Sequence, residues 1–454
     1  MEALDTKDTW SDIRTLIESG DREALMAWLD AQPAGQMGLL FSRLNSDEVQ
    51  EIIRLVGPEE AAEILVQISE AQAVDIVEDL PSESAAAIVD EMDSDEQADI
   101  LGGMDEEDAE AILSLMDPEE ASDARKLIGY EWNTAGGIMI TEYLAFKEGS
   151  TTLDLLEDLR ANRNVYADYD VQYLYITNQK GQLKGVLKMR DMLLAKGNVR
   201  VGRLMNNKPI KVRADATLIE LREIFESNNI LGIPVVDNSD KLVGVVRRAA
   251  VEEAFVEEAT EDFLMMSGLS GEEELRSMPF IERTQRRLSW LVVGLLLTVL
   301  ASSVIAAFEH IVKEVIFLAA ILPVVANLSG ACGNQAVAVS IRELSLGLVK
   351  PWEVMRVILQ ELGVGLVIGS CLGIILGTVV GLWQQNWILG FVVGGAMAMN
   401  SALSVVFGGS IPLILKWIKK DPALASGPLV MTLADACGFF ITLGLVSVTL
   451  SYLS

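Results

Sequence analysis

Histidine is almost missing from this 454-residue chain, which has one, His310. Imidazole is the usual general base near neutral pH and the commonest metal ligand, so its scarcity argues against a His-activated nucleophile and a histidine-rich metal centre alike. Cysteine is nearly as scarce. Cys332, Cys371 and Cys437 all lie in apolar segments without metal-ligand spacing, which argues against a disulfide framework and a zinc site. No phosphate-binding loop or ATPase motif occurs, and no Ser or Cys nucleophile stands beside a base, so no enzymatic activity is expected. Basic residues are short in one half of the chain. Of 66 acidic and 35 basic residues, all but seven of each fall before Leu288. A surface of that sign repels nucleic acid and attracts cations, although acidic surfaces also serve solubility alone. The opening MEALDTKDTW has no basic run followed by an apolar core. A cleaved signal peptide is therefore not expected, and the acidic half is expected in the cytoplasm.

What is present divides the same way: the formal charge of -31 belongs to the first part, and the remainder is neutral and apolar. Between Leu44 and Asp117 apolar residues recur every twelve positions. Leu44, Val56, Ile68, Leu80, Met92, Met104 and Met116 make one register. Ile52, Ile64, Ile76, Ile88, Ile100 and Ile112 make a second. Segments such as PEEAAEIL from Pro58, with Pro and acids in the first turn, read as helix starts. Each repeat is then a short helix and a turn, stacked into a solenoid with a carboxylate-rich exposed face.

From about Gly137 the pattern changes to short β-rich runs alternating with helices. Two copies of one unit are visible: TTLDLLEDLRANR with DVQYLYITNQKGQLKGVLKMRDML, then ATLIELREIFESNN with GIPVVDNSDKLVGVVRRAAVEEA. These copies, with GRLM at Gly202–Met205 opening the second, resemble tandem CBS domains. The resemblance implies a nucleotide cleft that uses a hydroxyl residue and then an Asp after the last strand. The first copy keeps Asp191 but has Lys188 at the hydroxyl position, and the second has Arg247 and Ala250. Lys188 and Asp191 are the remaining nucleotide candidates. Lys188 and Arg247 either meet phosphate or are simply solvated. The following stretch carries Glu252, Glu253, Glu257, Glu258, Glu261 and Asp262 at helical spacing, an acidic face that like-charge repulsion makes costly unless something cationic neutralises it.

Five segments, at about 288–308, 315–341, 354–383, 387–415 and 425–452, are long and apolar enough to cross a bilayer. Basic residues gather before the first (Arg283, Arg286, Arg287), after the second (Arg342, Lys350) and after the fourth (Lys416, Lys419, Lys420). The positive-inside rule then puts the N-terminus in the cytoplasm. Asp435 falls roughly 15 Å into the last span at helical rise. A carboxylate at such depth is expensive and generally functional, and no Lys or Arg lies at comparable depth to pair with it. A cation from water is the expected partner. In the second span, PVVANLSGACGNQ offers Asn327, Asn334 and Gln335 as oxygen donors, with Pro323, Gly330 and Gly333 as expected loosening points that free carbonyls. Oxygen donors of this kind suit Mg²⁺, which keeps part of its water. Helix packing through interhelical hydrogen bonds is the competing use of the same residues.

The order of acidic repeat, CBS pair, acidic connecting helix and five spans, with RLSWL at Arg287, GNQ at Gly333, DPALASGP at Asp421 and TLADACG at Thr432, resembles the MgtE magnesium channel family. That resemblance implies a multi-domain fold. An all-α acidic helical-repeat domain (1–132) precedes α+β tandem CBS domains (133–200 and 201–250), then a connecting plug helix (251–285), then an all-α transmembrane domain (286–454). It also implies a homodimer in the bacterial inner membrane, a Mg²⁺ pore at Asp435 with Asn327, Asn334, Gln335, Met431 and Thr432, and closure by cytoplasmic Mg²⁺. Gating candidates are Asp421, Glu253, Glu257, Glu258, Glu261 and Asp262. The sequence departs from the family's pattern at the sensor, where Ala249 and Ala250 replace an Asp-Asp pair and Thr217, Ile219 and Asn229 are neutral. Weak Mg²⁺-dependent closure is the resulting expectation. A cation-coupled secondary transporter, or a membrane-anchored sensor that moves no ion, are the alternatives.

Overall fold

Short helices follow one another through the acidic half, as the twelve-residue period requires. The computed structural model describes residues 13–17, 19–31, 40–41, 44–166, 169, 172–269 and 280–453. The MEALDTKDTW opening, positions 270–279 of the expected connecting segment, and Asp170 with Val171 at an expected strand start lie outside the described residues. Those described divide into two compact units, one up to Glu258 and the other from Ala259 on.

In the first unit, α1 (Arg22–Asp30) precedes seven repeat helices: α2 (Ser46–Leu55), α3 (Pro58–Leu65), α4 (Glu70–Glu78), α5 (Ser82–Val89), α6 (Ser94–Gly103), α7 (Glu106–Leu113) and α8 (Pro118–Leu127). Their starts are locally encoded. Asn45 accepts from Glu48 N at 2.8 Å while the Glu48 carboxylate accepts from Asn45 N at 3.0 Å, a reciprocal cap that satisfies two orphan donors. Glu60 reaches back to Gly57 N at 2.9 Å in the same way. The isoleucine register is buried throughout, in one continuous core. Each helix packs chiefly on the next but one, α2 on α4, α3 on α5, α4 on α6, because the tight turn between neighbours sends consecutive helices to opposite sides.

The two repeated copies form two small sheets of one design. In the first copy β2 (Leu144–Lys147) pairs parallel with β3 (Tyr173–Thr177), which pairs antiparallel with β4 (Leu183–Lys188). In the second, β5 (Val212–Arg213) pairs parallel with β6 (Gly232–Val236), which pairs antiparallel with β7 (Leu242–Arg247), and β1 (Met139–Ile140) adds to the β7 edge. Both hairpins turn on the same device. Asn178 and Asp237 each accept backbone N–H bonds from residues two and four further on, and left-handed backbone follows at Gly181 and Asp240. Helices α9 (Thr152–Ala161), α10 (Met189–Leu193) and α11 (Leu218–Ser227) complete the copies. The following helix, α12 (Arg248–Met266), begins ahead of position 251, and the division at Glu258 splits it between the two units.

The second unit holds α13 (Phe280–Ala307), the short α14 (Glu309–Glu314), α15 (Leu318–Ser345), α16 (Val354–Trp383), α17 (Trp387–Trp417) and α18 (Pro422–Leu453). All five long helices are long and apolar enough to span a bilayer. Two of them, α16 and α17, come together on bare backbone. At Gly369, Gly373 and Gly377 a side chain would strike the α17 backbone at Ala398, Gly394 and Gly390, the close approach that small residues allow where no hydrophobic effect drives helices together. One expectation fails. The segment from Pro323 to Gln335 is not loosened: α15 runs as one continuous helix through Pro323, Gly330 and Gly333. Gly333 instead provides contact, since any side chain there would strike Ser404 and Val430. Nearby, Ser404 donates to the Ser329 carbonyl at 2.6 Å and Ser340 to the Gly409 carbonyl at 3.0 Å.

Candidate functional site

Asp435 sits near the middle of α18, half-buried. No ion pair or hydrogen bond reaches its carboxylate from the described residues, so among them nothing compensates its charge. Asn334, on α15, is half-buried with its side-chain oxygen buried and unbonded. Thr432 is half-buried and its hydroxyl donates back to the Pro428 carbonyl one turn earlier in the same helix, at 2.7 Å. Asn327, Gln335 and Met431 are exposed on their helices. Among the described residues no group of three His, Cys, Asp or Glu side chains is close enough to hold a metal ion. The described residues of one protomer thus hold no carboxylate cage for a dehydrated ion. Its single carboxylate suits a cation that keeps its water and draws other oxygens from neutral groups or a second copy.

Two of the gating candidates meet at one end of the helical bundle. Asp262, late in α12, accepts from the Ser345 hydroxyl at 2.8 Å. Burial raises its carboxyl above the usual range, and the nearby Asp421 carboxylate adds to the rise while Lys416 opposes it. Asp421 caps α18 by accepting from Ala423 N at 2.6 Å. Met265 and Met266 join Val337, Ile341, Ala423 and Val430 in an apolar cluster, so the end of α12 seats against α15 and α18. Glu258 and Glu261 are half-buried, whereas Glu253 and Glu257 are exposed in the sheath of acids along α12.

The sensor face corrects one expectation. Arg247 is neither free for phosphate nor merely solvated: its guanidinium bonds Asp93 at 2.9 Å and Asp95 at 3.2 Å, joining the second sensor copy to the start of α6. Beside it Ser94 donates from N and Oγ to Glu142, at 3.2 and 2.8 Å, and accepts from Thr141 N at 2.9 Å. Carboxylates crowd this seam. Burial, with Asp95 and Asp93 nearby, pushes Glu96 up to about 7. Asp99 still shows part of its surface to solvent, yet protein mass on its other sides and the charges of Glu70, Asp95, Glu257 and Glu96 push it up to about 8. Both groups hold a proton in the fold that the unfolded chain has already released above about pH 4.5. Their contribution is therefore fully present at pH 4 and is lost as pH rises through 7 to 8. The melting temperature of the acidic unit should fall over pH 5–8 and level off above; a melting temperature flat or rising across that window would contradict it.

Lys188 and Asp191 are exposed, and Asp191 lies 3.5 Å from its neighbour Arg190. Neither lines the cleft of about 300 Å³ between the copies, whose wall includes Glu142, Tyr173, Tyr175, Arg247, Arg248 and Ala249. Arg248 is occupied as well. It donates to the carbonyls of Phe225, Asn228 and Ile230 at 2.6 to 3.1 Å, closing the end of α11 and anchoring the start of α12. Sequence reasoning passed over Asp93 and Asp95, which look like any helix-start acids, and over Asn400, a lone amide in the apolar run of α17 that depth alone could have flagged.

Comparison with known proteins places these features. Residues 322–445 match the family model for MgtE divalent cation transporters, residues 32–133 the MgtE intracellular N domain, and residues 201–257 the CBS domain. The magnesium transporter MgtE of Thermus thermophilus is 32% identical over 330 residues, covering 72% of this chain and 73% of the relative. That of Bacillus subtilis is 31% identical over 321 residues, 71% and 70% of the two chains. Among solved structures, the cytosolic domain of the Mg²⁺ channel MgtE in complex with ATP is 29% identical, with a TM-score of 0.50, covering 54% of this chain and 99% of that one.

Proposed function

Because this chain belongs to the MgtE family of magnesium transporters, we propose that it is a channel conducting Mg²⁺ down its electrochemical gradient, past Asp435 in a pore shared by two copies. The observation that carries this reading is the uncompensated carboxylate in mid-helix on α18, within the matched transporter region. A charge so placed is costly unless a cation visits it. The chain is a multi-pass membrane protein. We read its N-terminus as cytoplasmic from the basic residues flanking the spans, and the membrane as the bacterial inner membrane. Purified protein in liposomes tests the mechanism: Mg²⁺ entry should follow the Mg²⁺ gradient and the membrane potential, with the rate unchanged when a proton or Na⁺ gradient is collapsed. A rate that tracks either gradient would replace the channel by a coupled transporter.

Gating is read at two places. The Asp262–Asp421 pair at the bundle end suits a cytoplasmic cation that would relieve two neighbouring carboxylates, locking α12 as a plug; Glu253, Glu257, Glu258 and Glu261 are further acidic gating candidates along α12. At the sensor, Ala249 and Ala250 supply no carboxylate and Arg247 already neutralises Asp93 and Asp95. Mg²⁺-dependent closure is accordingly weakened. The engagement of Arg247, with Ala250 at the Asp position, also argues against nucleotide affinity in the adjoining cleft.

A further inference from the structure

The buried polar side chains of the membrane unit fall into two groups. Ser329, Ser340, Ser401, Ser404, Ser410 and Ser426 each have a hydrogen-bond partner on their own or a neighbouring helix, which is ordinary bonding within and between helices. Asn400 and Thr442 do not. Each is completely inaccessible, and neither the Asn400 amide atoms nor the Thr442 hydroxyl has a partner among the described residues. Because they are already sealed inside one protomer, a second copy has no surface through which to reach them, and lipid offers no hydrogen bonds. Leaving such groups unbonded works against folding, and an apolar side chain of the same shape would be better tolerated. Stability therefore does not explain their presence.

Their position does. The Asn400 amide packs against Gly438 so closely that a side chain there would stand 2.5 Å from the amide nitrogen. Asp435, Gly438 and Thr442 follow the i, i+3, i+7 spacing of one helix face. The unpartnered amide thus addresses α18 one turn from the pore carboxylate, at a residue whose missing side chain leaves the helix backbone within the amide's reach. A side-chain amide carries one acceptor and two donors and matches a peptide group. It can replace the bonds a spanning helix gives up when it yields at a glycine. We propose that Asn400, assisted by Thr442, is a positioning residue for conduction: its amide bonds the α18 backbone around Gly438 in the conducting arrangement and so fixes where Asp435 stands.

This inference rests on the pore reading of Asp435, and the test separates the two. Full-length wild type, N400L, T442V and D435A are reconstituted in liposomes, and Mg²⁺ entry, the Mg²⁺/Ca²⁺ rate ratio and the melting temperature in detergent are measured. For N400L we expect entry reduced at least about tenfold and a smaller Mg²⁺/Ca²⁺ ratio, with a melting temperature unchanged or raised by about 2 °C. For T442V the same signs are expected with a smaller loss. Entry within twofold of wild type in N400L, or entry and melting temperature falling together with the ion ratio intact, overturns the proposal. Should N400L not accumulate, T442V decides by the same readouts. D435A without flux beside an unaffected N400L sinks only this inference, whereas wild-type flux in D435A sinks the pore reading itself.

Discussion

Mg²⁺ uptake should fall by about 100-fold or more in Asp435→Asn, while the protein melts at the same or a higher temperature. The two signs come from one cause. At an effective dielectric of about 20, a unit charge and a divalent cation about 4 Å apart attract by roughly 8 kcal/mol before desolvation is counted. If only about 3 kcal/mol survives that cost, the loss is a factor of about 100. Asparagine has nearly the same shape, so packing against neighbouring residues persists, and removing an uncompensated charge from mid-membrane relieves the fold. Growth of a Mg²⁺-requiring strain and flux in liposomes both report the result. Undiminished uptake with Asn at this position would leave the protein without its proposed ion site and favour a sensor that moves no ion.

The second large effect is expected at Arg247. Arg247→Ala strips two carboxylates of their shared cation. Asp95 is largely enclosed, with 15% of its side chain accessible, so it cannot recover full hydration. Loss of about 1–3 kcal/mol from the seam between the repeat and the sensor follows, discounted from a fully buried pair because the Arg247 side chain is 33% exposed. The informative part is the response to metal. With the guanidinium gone, Asp93, Asp95 and Glu142 face each other without a counter-charge, and millimolar Mg²⁺ should raise the variant's melting temperature by several degrees more than it raises that of the wild type, by simple linkage. Channel closure by cytoplasmic Mg²⁺ should steepen in parallel. Equal Mg²⁺ responses in the two proteins would mean that Arg247 does not stand in for a metal ion.

Much of this architecture is legible from local signals. The twelve-residue period names which isoleucines go inside, because a short helix exposes one face and must bury the other. The five spans follow from length and apolarity, because a bilayer admits little else. Duplication in the sensor shows as repeated hairpins with Asn178 and Asp237 at their turns. Asp435 stands out because a charge in an apolar run is expensive wherever the helix goes. Other features are not legible. Arg247 and Asp93 are 154 residues apart in the chain, and Asp262 and Ser345 83, so nothing in their neighbourhoods announces the bond. Pro323 and Gly333 read as breaks but prove compatible with one continuous α15, and the second is consumed by contact with α17.

The sequence by itself determined which segments are long and apolar enough to span a membrane, the element types, and the one carboxylate deep in the last span. Burial, charge and periodicity are properties of each segment and survive without knowledge of its neighbours. Only the tertiary structure decided which acids lose their freedom to bind metal and which polar groups are left wanting a partner. The Arg247 clamp on Asp93 and Asp95, and the amide of Asn400 closed in against Gly438, depend on which surfaces meet. Hydrogen bonds and ion pairs act over about 3 Å, a distance that only the folded chain can set between residues so far apart along it.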